Sequence, residues 1–283
     1  MAKPGTVSLD DAYNARKWAP DYQRTLDTFV ARGEAVLVLP DVRRGLAWGP
    51  GTRQVLDFVP SGSSRGPLAL FLHGGYWQYR TATRDVGTFL APRLAAGGCA
   101  FATATYELCP DIDMDSMVGQ MDVLIDWLAH TANEAFSYHV DRVVLIGHSA
   151  GAHLASMAAL SNRANELSGR LEITGVCGIG GIYDLRPLVG TQLNNALGMD
   201  SESAWRNSPL RSVRPGTPPF LVACGELESP ALSGQSAAFV GACAAAGADA
   251  ELIRLPKHDH YSGLAEIADG TLGDAIIALA QGR

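Results

Sequence analysis

The segment Gly147-His148-Ser149-Ala150-Gly151 has the G-x-S-x-G pattern that is typical of a nucleophilic serine. A serine in this pattern lies on a sharp turn between a strand and a helix, which exposes its hydroxyl at the end of a sheet. Small residues at positions 147, 150 and 151 suit such a turn, because larger side chains would collide with the neighbouring strand and helix. We predict that Ser149 is the nucleophile and that His148 orients the turn, with a plain connecting turn as the alternative.

A serine hydroxyl is a weak nucleophile, so it needs a histidine as general base and a carboxylate that orients the histidine. In hydrolases with this motif the acid follows the serine in the chain, and the histidine follows the acid. The loops after the last two predicted strands offer Glu226 or Glu228 and His258 or His260. We favour Glu228, because Pro230 restricts the backbone beside it, and His260, because it directly precedes the closing helix. The other two residues stay as alternatives.

Two glycines follow a buried strand in the segment that begins at His73. Gly74 and Gly75 allow the backbone to turn its N–H groups toward the carbonyl oxygen of a substrate. Together with the N–H group of Ala150, they would stabilise a developing oxyanion. The alternative is a simple glycine turn in which His73 has a structural role.

Alternating strands and helices surround these motifs. The first two strands flank a Gly-Pro-Gly turn and should be antiparallel, whereas strands that alternate with helices form a parallel sheet covered on both faces. The sequence therefore predicts an α/β fold with a mostly parallel sheet of about eight strands, whose carboxyl ends carry the motifs. The predicted strands are 42–48, 53–59, 68–72, 100–106, 143–146, 173–179, 220–224 and 251–255. The predicted helical segments are 9–32 with an interruption near Pro20, 84–96, 114–130, 150–160, 233–246 and 261–280.

Residues 185–217 interrupt this alternation with scattered proline, glycine and asparagine. We predict that they form a small helical cap or lid over the carboxyl edge of the sheet, inserted in a single domain that spans residues 1–283. A chain of 283 residues that is 47% hydrophobic can bury the core of one such domain.

The composition argues against several classes of protein. The net charge is −7 and no cluster of lysine and arginine is present, so we expect no nucleic-acid partner. The five widely spaced cysteines predict buried thiols in a reducing cytosol. The N-terminus lacks the apolar segment of a signal peptide, and no run of apolar residues is long enough for a membrane helix. We therefore expect a cytoplasmic protein without a membrane partner.

The two glycine motifs together resemble the kynurenine formamidases (arylformamidases), a family of the α/β-hydrolase superfamily. The resemblance extends over most of the chain and is carried by five segments. These are Tyr13-Asn14-x-Arg16, His73-Gly74-Gly75-Tyr76-Trp77, the motif around Ser149, Gly225-x-x-Glu228-Ser229-Pro230 with Gln235-Ser236, and Asp259-His260-Tyr261. One residue departs from the family pattern, since the acid is usually aspartate and here is Glu228.

The resemblance implies an α/β-hydrolase fold and hydrolysis of an aryl formamide, such as N-formyl-L-kynurenine, to an aryl amine and formate. Ser149 would attack the formyl carbon, and His260, oriented by Glu228, would transfer the proton. Tyr76 and Trp77 either contact the small-molecule substrate or pack in the core. A short-chain carboxylesterase and a non-catalytic binding protein remain alternatives.

We expect neither a cofactor nor a metal ion, because the histidines lack the H-E-x-x-H spacing of zinc ligands. The oligomeric state stays open, with a homodimer as one option.

Overall fold

An eight-stranded sheet crosses the protein in the order β1-β2-β4-β3-β5-β6-β7-β8. The computed structural model describes residues 7–283, so residues 1–6, on which the expectation of no signal peptide partly rests, lie outside the described part. β1 pairs with β2, and β2 with β4, in antiparallel fashion, and the other five pairings are parallel. The strands are β1 (Arg43–Ala47), β2 (Val55–Val59), β3 (Leu68–Leu72), β4 (Ala100–Ala104), β5 (Arg142–His148), β6 (Glu172–Ile179), β7 (Phe220–Gly225) and β8 (Ala250–Leu255).

Helices cover both faces of the sheet, and the connections after β3 to β7 contain them. Four further segments are 3-10 helices: Ala15–Trp18, Arg84–Leu90, Arg186–Gly190 and Ser262–Leu264. The α-helices of the described part are α1 (Leu9–Ala12), α2 (Tyr22–Leu37), α3 (Ala91–Ala96), α4 (Met114–His130), α5 (Ala132–Phe136), α6 (Ala150–Leu160), α7 (Asn162–Glu166), α8 (Asn194–Leu197), α9 (Ser201–Arg206), α10 (Pro209–Ser212), α11 (Pro230–Ala245), α12 (Ala265–Asp269) and α13 (Leu272–Ala280).

Successive residues of the central strands point to opposite faces and so build two separate cores. Leu70 and Leu145 belong to the core that also contains side chains of α4, α6 and α11. Phe71 and Ile146 belong to the other core, which contains side chains of α2, α3, α12 and α13. Because β3 and β5 are buried on both faces, their sequences are apolar at nearly every position.

The predicted α/β architecture is confirmed, and all eight predicted strands are present with ends shifted by a few residues. Three predicted helices are divided differently. The segment 9–32 contains α1, a 3-10 helix and the first part of α2, which extends to Leu37. The segment 84–96 begins as a 3-10 helix before α3. The segment 261–280 contains a 3-10 turn, α12 and α13, because Gly270 takes an extended conformation between the two α-helices. All five cysteines are buried and form no disulfide, as predicted.

Residues 185–217 form four short helices, Arg186–Gly190 and α8 to α10. Pro187 and Pro209 lie at the first turn of the first and the last of them, where proline is tolerated. Their role as a cap stays a prediction. Across residues 7–283, every helix is too short or too polar to cross a lipid bilayer.

Candidate active site

Ser149 lies between the end of β5 and the start of α6, in a backbone conformation that side chains rarely adopt. Its φ is 55° and its ψ is −118°, and a residue other than glycine is strained at positive φ. The N–H group of Ser149 donates to the carbonyl oxygen of Ile179 at 2.8 Å, which ties the turn to the neighbouring strand β6. The Ser149 side chain lines a cavity above the carboxyl ends of the strands. This geometry matches a serine on a sharp strand-to-helix turn, and Ser149, which is 3% exposed, faces the cavity.

The two outer glycines of the motif have no room for a side chain. A Cβ atom on Gly147 would lie 2.2 Å from the carbonyl oxygen of Gly151. A Cβ atom on Gly151 would lie 2.0 Å from the carbonyl oxygen of Leu72 in β3. Both distances are far below van der Waals contact, so the close packing of α6 against β3 and β5 requires glycine at both positions.

His260 and Glu228 form a buried pair beside the cavity. His260 Nδ1 lies 2.9 Å from Glu228 Oε2, and the two residues are only 2% and 5% exposed. The other carboxylate oxygen, Oε1, accepts the N–H group of Gly225 at 2.9 Å. The carboxylate is therefore satisfied on both oxygens, and the longer glutamate side chain reaches the position that an orienting acid must occupy. His260 also lines the cavity that contains Ser149.

The alternative acid and histidine have other partners. Glu226 is exposed, and its Oε2 accepts the backbone N–H group of Lys257 at 3.0 Å. His258 Nε2 lies 3.0 Å from Glu266 Oε1, on α12. Neither residue lines the cavity at Ser149. The structure therefore brings Glu228 and His260 together and keeps Glu226 and His258 away from them.

His148 supports the histidine loop as well as the serine turn, and no sequence pattern indicates its contact with the histidine loop. Its Nε2 atom donates to the carbonyl oxygen of His260 at 2.7 Å, and the two rings lie 4.9 Å apart. Burial, reinforced by the nearby His260, lowers the pKa of His148 to about 3. His148 is therefore neutral at physiological pH and can hold the His260 backbone without placing a second positive charge beside it.

The glycine loop after β3 presents unpaired backbone donors beside Ser149. A Cβ atom on Gly74 would lie 2.9 Å from His148 Nδ1 and 3.1 Å from Ser149 Cβ, so the loop touches the serine turn. Gly75 has a φ of 118°, which favours glycine. Within residues 7–283, the N–H groups of Gly74, Gly75 and Ala150 donate to no acceptor. They are available to a substrate oxygen.

His73 shapes this loop from within the core. Its Nδ1 atom hydrogen-bonds the carbonyl oxygen of Gly74 at 2.6 Å, and its ring stacks on Tyr106 at 4.5 Å. Burial lowers the pKa of His73 to about 4, so the ring is neutral. These contacts agree with a structural role for His73 in the glycine loop.

Tyr76 and Trp77 occupy different environments. Tyr76 lines the cavity, and its hydroxyl donates to the carbonyl oxygen of Tyr13 and accepts the N–H group of Ala15 at 3.1 Å. Trp77 is fully buried, and its indole N–H donates to His153 Nδ1 at 3.2 Å. The structure does not bring Trp77 to the cavity, so of the two alternatives it takes core packing.

The cavity has a volume of about 300 Å³ and is covered by the N-terminal segment. The expected cap, residues 185–217, contributes no residue to its lining in the described chain. The Tyr13-Asn14-x-Arg16 motif contains one of these covering residues, Arg16, and the sequence offers no signal for the others. The covering residues are Arg16, Tyr22, Gln23, Leu26, Asp27 and Val30, and they face Tyr79, Val86 and Tyr261 among others.

No group of three or more His, Cys, Asp or Glu side chains in residues 7–283 is arranged to hold a metal ion. The described residues at the cavity supply a hydroxyl, an imidazole–carboxylate pair and backbone N–H donors. This combination can perform acyl transfer to serine followed by hydrolysis.

The chain is similar in sequence to known proteins over most of its length. A family model described as BD-FAE matches residues 57–242, which include Ser149 and Glu228. The chain is 32% identical to the kynurenine formamidase of Danio rerio over 278 residues, which cover 92% of this chain and 91% of that protein. It is 33% identical to the kynurenine formamidase of Salmo salar over 248 residues, which cover 85% and 80% of the two proteins.

A solved structure, a putative thioesterase from Silicibacter sp. tm1040, superposes with a TM-score of 0.81 at 26% identity. The superposition covers 97% of this chain and 99% of that chain. The family model spans more than half of the chain, and the identity to the fish proteins extends over most of it. The chain therefore belongs to the BD-FAE family and is a kynurenine formamidase-like hydrolase of the α/β-hydrolase superfamily.

Proposed function

We propose that the protein hydrolyses an aryl formamide, N-formyl-L-kynurenine or a close relative, to the aryl amine and formate. The observation that carries this proposal is the buried pair of His260 and Glu228, which opens onto the same cavity as Ser149. The similarity to two kynurenine formamidases over most of the chain supports the choice of a formamide.

In the proposed reaction, the Nδ1–H group of His260 donates a hydrogen bond to Glu228 Oε2, so that Nε2 carries no proton and can accept the proton of the Ser149 hydroxyl. The serine oxygen then attacks the formyl carbon. Glu228 stabilises the imidazolium that forms, because the pair is shielded from water. No hydrogen bond from Ser149 Oγ is present within the described residues, and such contacts commonly tighten only when substrate is bound.

The negative charge that develops on the formyl oxygen would be stabilised by the unpaired N–H groups of Gly74, Gly75 and Ala150. Loss of one donor of this kind costs about 10²–10³-fold in kcat in other serine hydrolases. His260 would next protonate the nitrogen of the leaving amine. A water molecule, activated by the same histidine, would then release formate from the serine ester.

The proposal is tested by measuring kcat/KM for N-formyl-L-kynurenine and for p-nitrophenyl acetate with the same enzyme preparation. We expect a clear preference for the formamide and loss of both activities in Ser149→Ala. Turnover of the ester alone would contradict the formamide assignment and would leave the serine-hydrolase mechanism intact.

A short-chain carboxylesterase is the second candidate, because the same residues would cleave an ester and a putative thioesterase of solved structure shares the fold at 26% identity. A non-catalytic protein of this fold is the third. Covalent labelling of Ser149 by a fluorophosphonate separates the two enzymes from the binding protein, since labelling requires an activated serine.

A further inference from the structure

A single lysine or arginine lies among the described residues that line the cavity above Ser149, and it is Arg16 of the 3-10 helix Ala15–Trp18. Its guanidinium carbon lies 4.4 Å from the ring centroid of Tyr79 and 5.1 Å from that of Tyr22. Both distances are within the range of cation–π contacts. The two rings therefore hold the guanidinium at the wall of the cavity.

The charge of Arg16 is not neutralised by the residues around it. No carboxylate oxygen in the described chain lies within 4.0 Å of its nitrogens. Asp27, the one acidic residue in the described cavity lining, accepts a hydrogen bond from Gln23 at 2.9 Å instead. Burial raises the pKa of the neighbouring Tyr261 to about 12 despite a lowering by Arg16, so Tyr261 stays neutral.

The backbone around Arg16 is fixed to loops of the active site. The Tyr76 hydroxyl donates a hydrogen bond to the carbonyl oxygen of Tyr13 and accepts one from the N–H group of Ala15. Ala15 directly precedes Arg16. The Ser229 hydroxyl, beside Glu228 in the acid loop, donates at 2.6 Å to the carbonyl oxygen that precedes Tyr13. Much of the entropy cost of ordering Arg16 is therefore met on folding, which favours ligand binding.

We propose that Arg16 binds a carboxylate of the substrate, so that the protein selects aryl formamides or esters that carry a carboxylate away from the reacting carbonyl. A guanidinium can donate two parallel hydrogen bonds to a carboxylate, and stacking on tyrosine rings leaves its N–H groups available for them. The inference rests on the proposed function for the position of the reacting carbonyl at Ser149.

The test compares kcat/KM for N-formyl-L-kynurenine with that for its carboxamide, which differs only in the carboxylate. In the wild-type protein we expect kcat/KM to be about tenfold higher for the carboxylate than for the carboxamide. This factor corresponds to the weakest hydrogen bonds to charged groups, and we choose it because Arg16 is exposed to solvent. In Arg16→Gln the ratio should fall to near one. The change should lie in KM, since a remote group binds equally in the ground and transition states.

Two further variants serve as controls. Arg24 is an exposed arginine of α2 that does not line the cavity, so Arg24→Gln removes the same charge and should keep the ratio. Asp27→Asn removes the negative charge from the cavity lining and should raise the ratio. A wild-type ratio near one, or an Arg16→Gln variant that keeps the wild-type ratio, would overturn the inference.

A second pair of substrates, 4-acetoxyphenylacetate and 4-acetoxyphenylacetamide, separates this inference from the formamide proposal. If only the esters are hydrolysed and their ratio depends on Arg16, the carboxylate site stands and the formamide proposal fails. If the formamides are hydrolysed with ratios independent of Arg16, the formamide proposal stands and the carboxylate site fails. Hydrolysis of neither pair would refute both.

Discussion

Replacement of Glu228 by glutamine tests the proposed triad most directly, because the structure determines how the new amide must lie. The Gly225 N–H group can only donate, so the amide oxygen of the glutamine must take the place of Oε1, which now accepts from Gly225 at 2.9 Å. The amide nitrogen then occupies the place of Oε2, 2.9 Å from His260 Nδ1. This nitrogen donates hydrogen bonds and cannot accept one.

His260 Nδ1 must therefore become an acceptor in Glu228→Gln, and the imidazole proton moves to Nε2. In this tautomer the ring cannot take the proton of Ser149, and the carboxylate that stabilises the imidazolium is also lost. The corresponding change in another serine hydrolase lowers kcat by about 10⁴-fold. At about 1.4 kcal/mol for each factor of ten, this is a rise of about 5 kcal/mol in the barrier.

The assay is kcat for N-formyl-L-kynurenine in Glu228→Gln and in the matched control Glu226→Gln. Both variants lose one negative charge from the same loop. Glu226 is exposed and accepts only the Lys257 N–H group, which the amide oxygen of glutamine can also accept, so we expect nearly wild-type turnover. Thermal unfolding should change little in either variant, because the buried hydrogen bonds are kept.

Full activity in Glu228→Gln would refute the orientation argument. Severe loss in Glu226→Gln, with Glu228→Gln near wild type, would transfer the role of the acid to Glu226. The histidine is tested in the same way by His260→Gln and His258→Gln, and the severe loss should occur at His260, since His258 pairs with Glu266 instead.

Three further predictions concern the nucleophile, the glycine loop and the buried histidines. Ser149→Ala should lower kcat by about 10⁶-fold with an unchanged circular dichroism spectrum, and retention of a tenth of the activity would remove Ser149 from the mechanism. Gly74→Ala should lower kcat by about 10²-fold or more, because its Cβ would press on His148 Nδ1 at 2.9 Å and displace the oxyanion donors; unaltered kcat would count against this loop. Burial lowers the pKa of His73 and His153 to about 4 and that of His148 to about 3, so protonation favours the unfolded state. Stability should be constant above the unfolded pKa of about 6.5 and should fall below it by about 1.4 kcal/mol per histidine for each pH unit, or about 4 kcal/mol in total at pH 5.5. Urea unfolding at pH 7.5 and pH 5.5 measures this loss, and equal free energies of unfolding would contradict it.

Local patterns in the sequence were sufficient to predict the fold and the serine turn. The strands β3 and β5 are continuous apolar runs, and each is followed directly by its glycine motif. The turn at Ser149 is marked within five residues by its two glycines, of which Gly147 packs against the turn itself and Gly151 packs against Leu72 of β3. The predictions of the eight-stranded α/β fold and of the family were also confirmed. Both predictions depend on short segments that follow one another in a definite order along the chain.

The sequence favoured Glu228 and His260, but only the tertiary structure shows how their partners differ from those of Glu226 and His258. Glu226 and Glu228 are two residues apart in one loop, and the sequence contains no contact that distinguishes them. The difference arises when β7 and β8 pair, because the Gly225 N–H group and His260 then meet Glu228, whereas Lys257 meets Glu226.

The cover of the cavity likewise depends on contacts between segments far apart in the chain. The Tyr76 hydroxyl and the Ser229 hydroxyl form hydrogen bonds with the backbone of residues 12–15 and so hold Arg16 at the cavity. In the sequence, Arg16 precedes Ser149 by more than 130 residues. Periodicity and turn signals report the conformation of a segment and the face that it buries. They do not report which distant segment lies against that face. The sequence by itself therefore determined the serine turn and the sheet, and the folded chain determined the partners of both.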